Sequence, residues 1–521
     1  MSGRRYDAVV VGSGFGGAVN ALRLAEAAKE VLVLERGRDY RDRRFPRDVS
    51  DVGNLFWRQP GREAHDLHGL YDVRFLSGIG VVAASGLGGG SLIYANIHIR
   101  PDADVFDDPR WPRAITRDAL EPYFDRVAAT LHLAPPPPAL RLPKRDAFHR
   151  AAAQLGREVF EPEMAVAWTH APGPGRQPCQ LAADCEFGCG YGAKQTLDVT
   201  YLANAESRGA ELRTGAFVTH VEPARDGYRV HYLRAADRSP DSVAARCVVL
   251  SAGTLGTNEV LFRSRDTTRT LPRLSAALGQ GFSGNGDFLG SIQNSATELE
   301  PWVGPDVTSV MRYADRPIQF TVAAPTFNRS VMTVLASFGQ PRIQWLRPAA
   351  PVLWRYLERL LPTLFARGLV SRPATFRARN AGDPARMTNL FAIGRDSANG
   401  RVHYRRGRLD VAWAYARENR ELIQHMSQAM LEIARAYGGT FETLFTWQAF
   451  RRTITVHPLG GCRLSGSPES GVVSPDGEVH GYPGLFVADG SVIPTSLGVH
   501  PCMTIAAVAE RVAEAVAASL Q

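Results

Sequence analysis

Apolar residues near the start of the chain fall in short, unbroken runs rather than in alternation. Tyr6 to Val11 reads YDAVVV, and this run predicts a strand covered on both faces, as in a parallel sheet. Next come Gly12-Ser13-Gly14-Phe15-Gly16-Gly17 and then AVNALRLAEAA, whose Ala and Leu content predicts a helix. A second apolar run, Val31 to Leu34, stops at Glu35. The same kind of run returns at residues 215–221 and at Cys247-Val248-Val249-Leu250, the latter ending in Ser251-Ala252-Gly253. It returns once more at Leu485-Phe486-Val487-Ala488, which ends in Asp489-Gly490, before an Ala-rich helix from about Met503. No internal repeat is present.

Strand, glycine turn, helix, strand and acid form one mechanical unit. Gly12 allows a tight turn, Gly14 lets backbone N–H groups approach a pyrophosphate, and Gly17 lets the helix pack closely on the strand. Glu35 is placed to accept hydrogen bonds from a ribose. A second glycine cluster, Gly86-Leu87-Gly88-Gly89-Gly90-Ser91, continues into Leu92-Ile93-Tyr94-Ala95-Asn96, and its backbone can lie against a flat ring system. A nicotinamide enzyme has no evident need of that loop, so the pattern favours FAD.

Between these returns of the nucleotide fold lies a long stretch without a glycine fingerprint, residues 290–451, rich in Arg, Trp and Pro. It is expected to form a second lobe over the substrate. Four prolines, Pro135 to Pro138, make a stiff connector. The expected organisation is thus an α/β, Rossmann-like FAD-binding domain from 1–133, 195–289 and 452–521, a linker and cysteine segment at 134–194, and a discontinuous substrate-binding domain at 290–451.

Composition narrows the field further. Of 521 residues, 45% are hydrophobic and 21% charged, which excludes a disordered or fibrous chain. The net charge of +8 is concentrated locally and does not demand nucleic acid. No apolar run reaches the roughly 20 residues of a membrane-spanning helix. The Arg pair in MSGRRYDAVVV superficially resembles an export signal, but the apolar stretch is short and runs into glycines, so a cytoplasmic location is expected. From Arg342 to Arg379 the chain carries eight arginines and one acid, Glu358, with Leu353, Leu357, Leu360, Leu361 and Leu364 on one helical face. That segment reads either as a core-facing helix with a solvated basic face or as a peripheral contact with anionic membrane.

Two histidines sit at proline-fixed bends, in His457-Pro458-Leu459-Gly460-Gly461-Cys462 and in Gly498-Val499-His500-Pro501. If both bends meet over a flavin, one imidazole can take the hydroxyl proton of an alcohol while the other hydrogen-bonds the same oxygen, and hydride passes to the ring. A pure redox carrier needs neither histidine.

Together VVVGSGFGGA, GLGGGSLIYAN, HPLGGC and FVADGSVIPTSLGVHP resemble the glucose-methanol-choline (GMC) flavin oxidoreductases, in that family's order along the chain, and the wording is most similar to its bacterial cholesterol oxidase branch. The resemblance implies a substrate domain built on a β-sheet covered by helices, and His457 as active-site base with His500 as its partner. Cholesterol oxidases carry Asn at that second position and many other members His. It also implies cofactor contacts from Phe15, Gly88, Gly90, Ser91, Tyr94, Ala95, Val218, Ala252, Asp489, Gly490 and Pro501, in addition to Gly12, Gly14, Gly17 and Glu35. The expected substrate is a small-molecule secondary alcohol that is sterol-like, polycyclic or glycosidic.

Cys179, Cys185 and Cys189 crowd into eleven residues. Written against the bacterial ferredoxin run, Ala182 stands where the second of the four thiolates belongs, and the three that remain suit a three-iron cluster. The spacing is similar to that of the bacterial FAD-dependent glucose dehydrogenase subunits, whose trio holds a [3Fe-4S] centre. That resemblance implies electrons leaving through a cluster to an acceptor protein or quinone. Zinc and unmetallated thiols stay open, as does a cholesterol-oxidase-like reaction with O2 and no cluster.

Overall fold

The computed structural model describes residues 5–46, 51–57, 69–314, 318–329, 331–332, 353–354, 356–357, 359–361 and 383–521. The basic segment 342–379 lies mostly outside the described residues. Of its described part, Trp354 and Leu357 are buried against Phe75, with Trp354 Nε1 donating to Leu76 O at 2.7 Å.

Strand β1 (Arg5–Val11) leads through the glycine turn into helix α1 (Phe15–Glu26) and strand β2 (Val31–Leu34). Every residue of β2 and the last four of β1 are buried. Two-sided burial demands parallel neighbours with helices on both faces, and β1 accordingly pairs in parallel with β2 on one side and with the strand Pro240–Leu250 on the other. The short strand Glu211–Arg213 extends the sheet beyond β2, also in parallel.

The strand Pro240–Leu250 is shared between two arrangements. Its first half closes an antiparallel meander with Gly227–Arg234 and Ala216–Ala224, while Val248 to Leu250 pair in parallel with Leu485–Val487. A strand from near residue 485 therefore completes a sheet begun at residue 5. The doubly wound α/β architecture expected from the apolar runs is present.

A second, six-stranded sheet runs Thr440–Thr443, Phe288–Gln293, Thr388–Gly394, Phe320–Ala323, Val310–Tyr313 and Glu158–Phe160, with every pairing antiparallel. Helix Arg420–Ala436 turns Leu422, Ile423, Met426, Met430 and Ile433 inward and packs on this sheet. The edge strand Glu158–Phe160 comes from the cysteine-bearing segment, so that segment is part of the second sheet as well as a connector.

α1 is held against the closing helix Cys502–Ser519 by small side chains and by one buried carboxylate. Glu510 has a fully buried side chain. It accepts from Arg23 Nε at 2.7 Å and Arg23 Nη2 at 2.8 Å, and from Tyr201 Oη at 3.0 Å. Arg126 Nη1 also reaches Glu510, at 3.4 Å, so removing the Arg23 guanidinium leaves the buried carboxylate with one longer cationic contact and costs up to about 3 kcal/mol. Arg23→Ala is therefore expected to lower the melting temperature by about 3 °C, read by differential scanning fluorimetry. An unchanged melting temperature would show that other contacts hold the two helices.

Candidate active site

β1 delivers Val11 and Gly12 to the wall of a cavity of about 550 Å3 that reaches from the parallel sheet to the second sheet. Four glycines shape this end. Gly12 has φ +93°, and a Cβ there would stand 2.3 Å from Ser251 O. A Cβ on Gly17 would stand 2.0 Å from Gly12 O, and one on Gly16 only 1.4 Å from Ala488 O. By contrast, the nearest atom to a Cβ on Gly14 is 4.0 Å away, so this glycine faces open space. Gly12 and Gly17 thus stand where main chain meets main chain, and Gly14 where the cavity begins. The motif does not single out Gly16, because its partner strand lies some 470 residues away.

α1 starts at Gly14 with no side-chain cap and no acid in its first turn. Its free N–H groups and positive dipole end meet a cavity lined by Gly14, Phe15 and Gly16, a ready site for a phosphate group. Glu35, 5% exposed, accepts from Ser13 N at 3.2 Å, Ser13 Oγ at 2.6 Å and Gly37 N at 2.8 Å. Ser13 Oγ also accepts from Gly88 N at 3.1 Å, which ties the two glycine loops together. Sequence reasoning misses Ser13, since nothing in the fingerprint demands a hydroxyl there.

Of the expected cofactor contacts, Gly12, Gly14, Phe15, Glu35, Gly90 and Tyr94 line the cavity, as do Ala95, Val218, Ala252, Asp489, Gly490 and Pro501. Gly17, Gly88 and Ser91 stand behind the wall. Ser91 Oγ donates to Gly88 O at 2.7 Å and accepts from Leu197 N at 3.0 Å, bracing the loop. Asp489 accepts from Thr257 Oγ1 at 2.5 Å and from Ser491 N and Oγ at 2.8 and 2.6 Å. This donor and acceptor set fits FAD: a helix N-terminus beside Gly14 for the pyrophosphate, a carboxylate for a ribose and a glycine wall for a flat ring.

The two histidines also line the cavity, with ring centroids 5.1 Å apart at 80°. Phe391, on the strand Thr388–Gly394, packs on both at 5.5 and 6.0 Å. His457 Nδ1 lies 2.9 Å from Asp287 Oδ1. The Asp287 carboxylate is buried and also accepts from Thr455 Oγ1 at 2.8 Å and Val456 N at 2.9 Å. A carboxylate at Nδ1 fixes the Nδ1–H tautomer and leaves Nε2 as the acceptor. Sequence reasoning misses Asp287 as well, because it lies 170 positions from the histidine, in an unremarkable Gly-Asn-Gly-Asp.

His500 is buried and its Nδ1 has no partner among the described residues. Burial, with His457 and His98 close by, holds its pKa well below the usual range. It is a neutral imidazole. His98, under Phe15 and Tyr94, is pushed down to about 3 by burial.

The cysteine trio is corrected by the structure. Cys185 is buried, while Cys179 and Cys189 are partly exposed. Among the described residues no group of three His, Cys, Asp or Glu side chains is arranged to hold a metal, the trio included. The residues do not fit the expected [3Fe-4S] cluster, nor zinc. What the loop does instead is anchor the second sheet's approach to the cavity. Gly304 N donates to Leu181 O at 2.9 Å, Ala183 N donates to Gly304 O at 3.1 Å, and Lys194 Nζ donates to Cys185 O at 2.7 Å.

A dinucleotide fold whose cavity holds a paired histidine site defines a flavin-dependent oxidoreductase. The description GMC oxidoreductase matches residues 6–266 and again 396–509, and the chain belongs to that family. It is an FAD-dependent GMC-type oxidoreductase related to cholesterol oxidases. It is 30% identical to a cholesterol oxidase of Mycobacterium tuberculosis over 98% of this chain and 90% of the relative. A cholesterol oxidase of Acinetobacter baumannii is 28% identical over 97% and 93%. In fold it is similar to pyridoxine 4-oxidase from Mesorbium loti, with a TM-score of 0.64 and 17% identity over 98% of both chains. Among the described residues no helix is long and apolar enough to cross a membrane.

Two outcomes check this site. Gly16→Val must displace the Ala488 backbone, and Gly14→Ala puts a methyl into the space where the pyrophosphate would lie, so both purified proteins are expected to lose most of their flavin absorbance, the first with a lowered melting temperature and the second without. Iron and acid-labile sulfide assays on freshly purified protein are expected to find no stoichiometric iron; a full complement would restore the cluster.

Proposed function

We propose that this chain oxidises a secondary alcohol to a ketone, with His457 as the base for the hydroxyl proton and His500 as hydrogen-bond partner of the same oxygen. The observation that carries this reading is the pair of imidazoles, 5.1 Å apart, at one end of the cavity beside Gly490 and Pro501, with a buried carboxylate behind one of them. Bound FAD supplies the hydride acceptor, held by the glycine turns, Glu35, Asp489 and the N-terminal end of the helix Cys502–Ser519.

The two imidazoles divide the work by environment. Asp287 holds His457 in orientation and stabilises the imidazolium that forms when Nε2 takes a proton. His500, kept neutral by burial and by its histidine neighbours, adds no competing positive charge and can donate one N–H to the substrate oxygen. Phe391 packs on both rings, keeping their separation and shielding them from water.

Electrons leave the site without a cluster in this reading, to an acceptor that reaches the cavity. Oxygen uptake that keeps pace with alcohol oxidation marks an oxidase; reduction of a quinone or dye with negligible oxygen uptake marks a dehydrogenase.

Stopped-flow reduction of the bound flavin by alcohol is the direct measurement. His457→Ala and His500→Ala are each expected to slow it by about 10²-fold or more, with flavin content retained. Asp287→Asn is expected to slow it as well, because an amide no longer enforces the Nδ1–H tautomer. If either histidine variant reduces its flavin at the wild-type rate, that imidazole takes no part in the proton transfer.

A further inference from the structure

The two imidazoles differ in how their rings are held. His457 Nδ1 has the Asp287 carboxylate, whereas His500 Nδ1 has no hydrogen-bond partner among the described residues. The place of the second imidazole is therefore set by the backbone that carries it and by the packing of Phe391. That backbone is the bend Leu497-Gly498-Val499, and the side chain that grips it is Asn285. Asn285 Oδ1 accepts from Leu497 N at 2.8 Å and Asn285 Nδ2 donates to Val499 O at 2.8 Å, so one amide closes the bend on both sides of Gly498.

Asn285 is fully buried and its backbone is left-handed, with φ 55°. Glycine takes that conformation without strain, so the reason for an amide here is what its side chain bonds. It stands two positions before Asp287, in the loop Ser283-Gly284-Asn285-Gly286-Asp287, whose shape is fixed from outside. The buried Asp396 carboxylate accepts from Ser283 Oγ at 2.8 Å, Gly284 N at 3.0 Å and Gly286 N at 2.9 Å. Its backbone oxygen accepts from Ser496 Oγ at 3.0 Å, just before the bend. Ser283 and Leu459 exchange both backbone hydrogen bonds, at 3.0 and 2.9 Å. The loop thus holds the bend of His457 through Ser283 and Asp287, and the bend of His500 through Asn285.

From this arrangement we infer that loop 283–287 sets the spacing of the two imidazoles as one unit, and that Asn285 is a positioning residue for His500. It acts through the backbone of Leu497 and Val499, as Asp287 acts directly on the ring of His457. The inference rests on the alcohol-oxidation reading of the same site. Two imidazoles that must meet one oxygen tolerate little error, since a misplacement of about 1 Å costs about 10²-fold in rate. An amide is the group that serves here because it offers a donor and an acceptor on one flat side chain; a carboxylate at 285 would serve Leu497 N and oppose Val499 O.

The test uses the flavin-loaded protein and Asn285→Gly, which keeps the left-handed backbone and removes both amide bonds. Cyclohexanol and cholesterol in cyclodextrin are the alcohol probes. Stopped-flow reduction of the flavin is expected to slow about ten- to hundredfold, with flavin content retained. On a His500→Ala background, Asn285→Gly is expected to slow it no further, because placement stops mattering once the imidazole is gone. A third measure does not depend on turnover. In protein carrying isotope-labelled histidine, the NMR ring signals of His457 and His500 are identified by their loss in each alanine variant. Asn285→Gly is expected to move or broaden the His500 signal and to leave that of His457, whose loop is still anchored by Asp396.

Losses that multiply in the double variant would overturn the inference, as would a His500 signal that Asn285→Gly leaves unmoved or a His457 signal moved as far. Should Asn285→Gly lose its flavin, Asn285→Asp, which keeps the shape and the acceptor for Leu497 N, is read by the same three measures. Loss of flavin from both would overturn the inference too, making the residue a support of the cofactor end. If neither probe reduces the flavin, or His500→Ala reduces it at the wild-type rate, the alcohol-oxidation reading falls, and the NMR comparison alone decides whether Asn285 places the ring.

Discussion

The active end of this protein depends on main chain touching main chain. At the C-terminal ends of the parallel strands, the turn after β1 lies against Ser251, the start of α1 lies against Ala488, and the second glycine loop lies against the first, where a Cβ on Gly89 would stand 2.6 Å from Gly14 Cα. None of these approaches tolerates a side chain. The close contacts leave the helix N-terminus free and bring three distant stretches of chain to one edge of one cavity. Gly14 is the exception that shows the purpose, since the space in front of it is open.

The histidine site depends on the same closure at longer range. His457 and His500 come from two bends in the C-terminal part of the chain, Asp287 immediately precedes the strand Phe288–Gln293 of the second sheet, and Phe391 lies inside that sheet. Asp287 also accepts from Thr455 and Val456, so a single carboxylate sets both the backbone before His457 and the tautomer of its ring. Burial then separates the behaviour of two chemically identical side chains. One imidazole has a carboxylate to support a positive charge, and the other is held neutral by desolvation and by the histidines beside it.

The cysteine-rich loop has a structural account that does not involve metal. Its backbone is bonded to Gly304, and a buried lysine donates to Cys185 O. Leu181 and Ala183 both take positive φ values, 56° and 58°, which side chains other than glycine adopt only when the surroundings enforce it. A loop held so firmly, with one residue of its wall entering the cavity, shapes the site through Glu186 rather than through its sulfurs.

Much of this protein was legible in its sequence. The unbroken apolar runs announced strands buried on both faces, because only a parallel sheet with helices above and below can bury such residues twice. Gly12, Gly14, Gly17 and Glu35 were readable because the turn that needs them is local, and the histidines because their bends carry family wording. Three things were decided only by tertiary structure. Gly16 and Ser13 owe their importance to backbone arriving from residues 488 and 88. Asp287 reaches its histidine across 170 positions. The cysteines suggested a cluster because spacing records which side chains are near one another along the chain, whereas a metal site needs side chains arranged around one point in space, and among the described residues no such group is found. Local geometry is encoded by neighbours, but convergence, burial and the ionisation that follows from them exist only once the distant segments have packed.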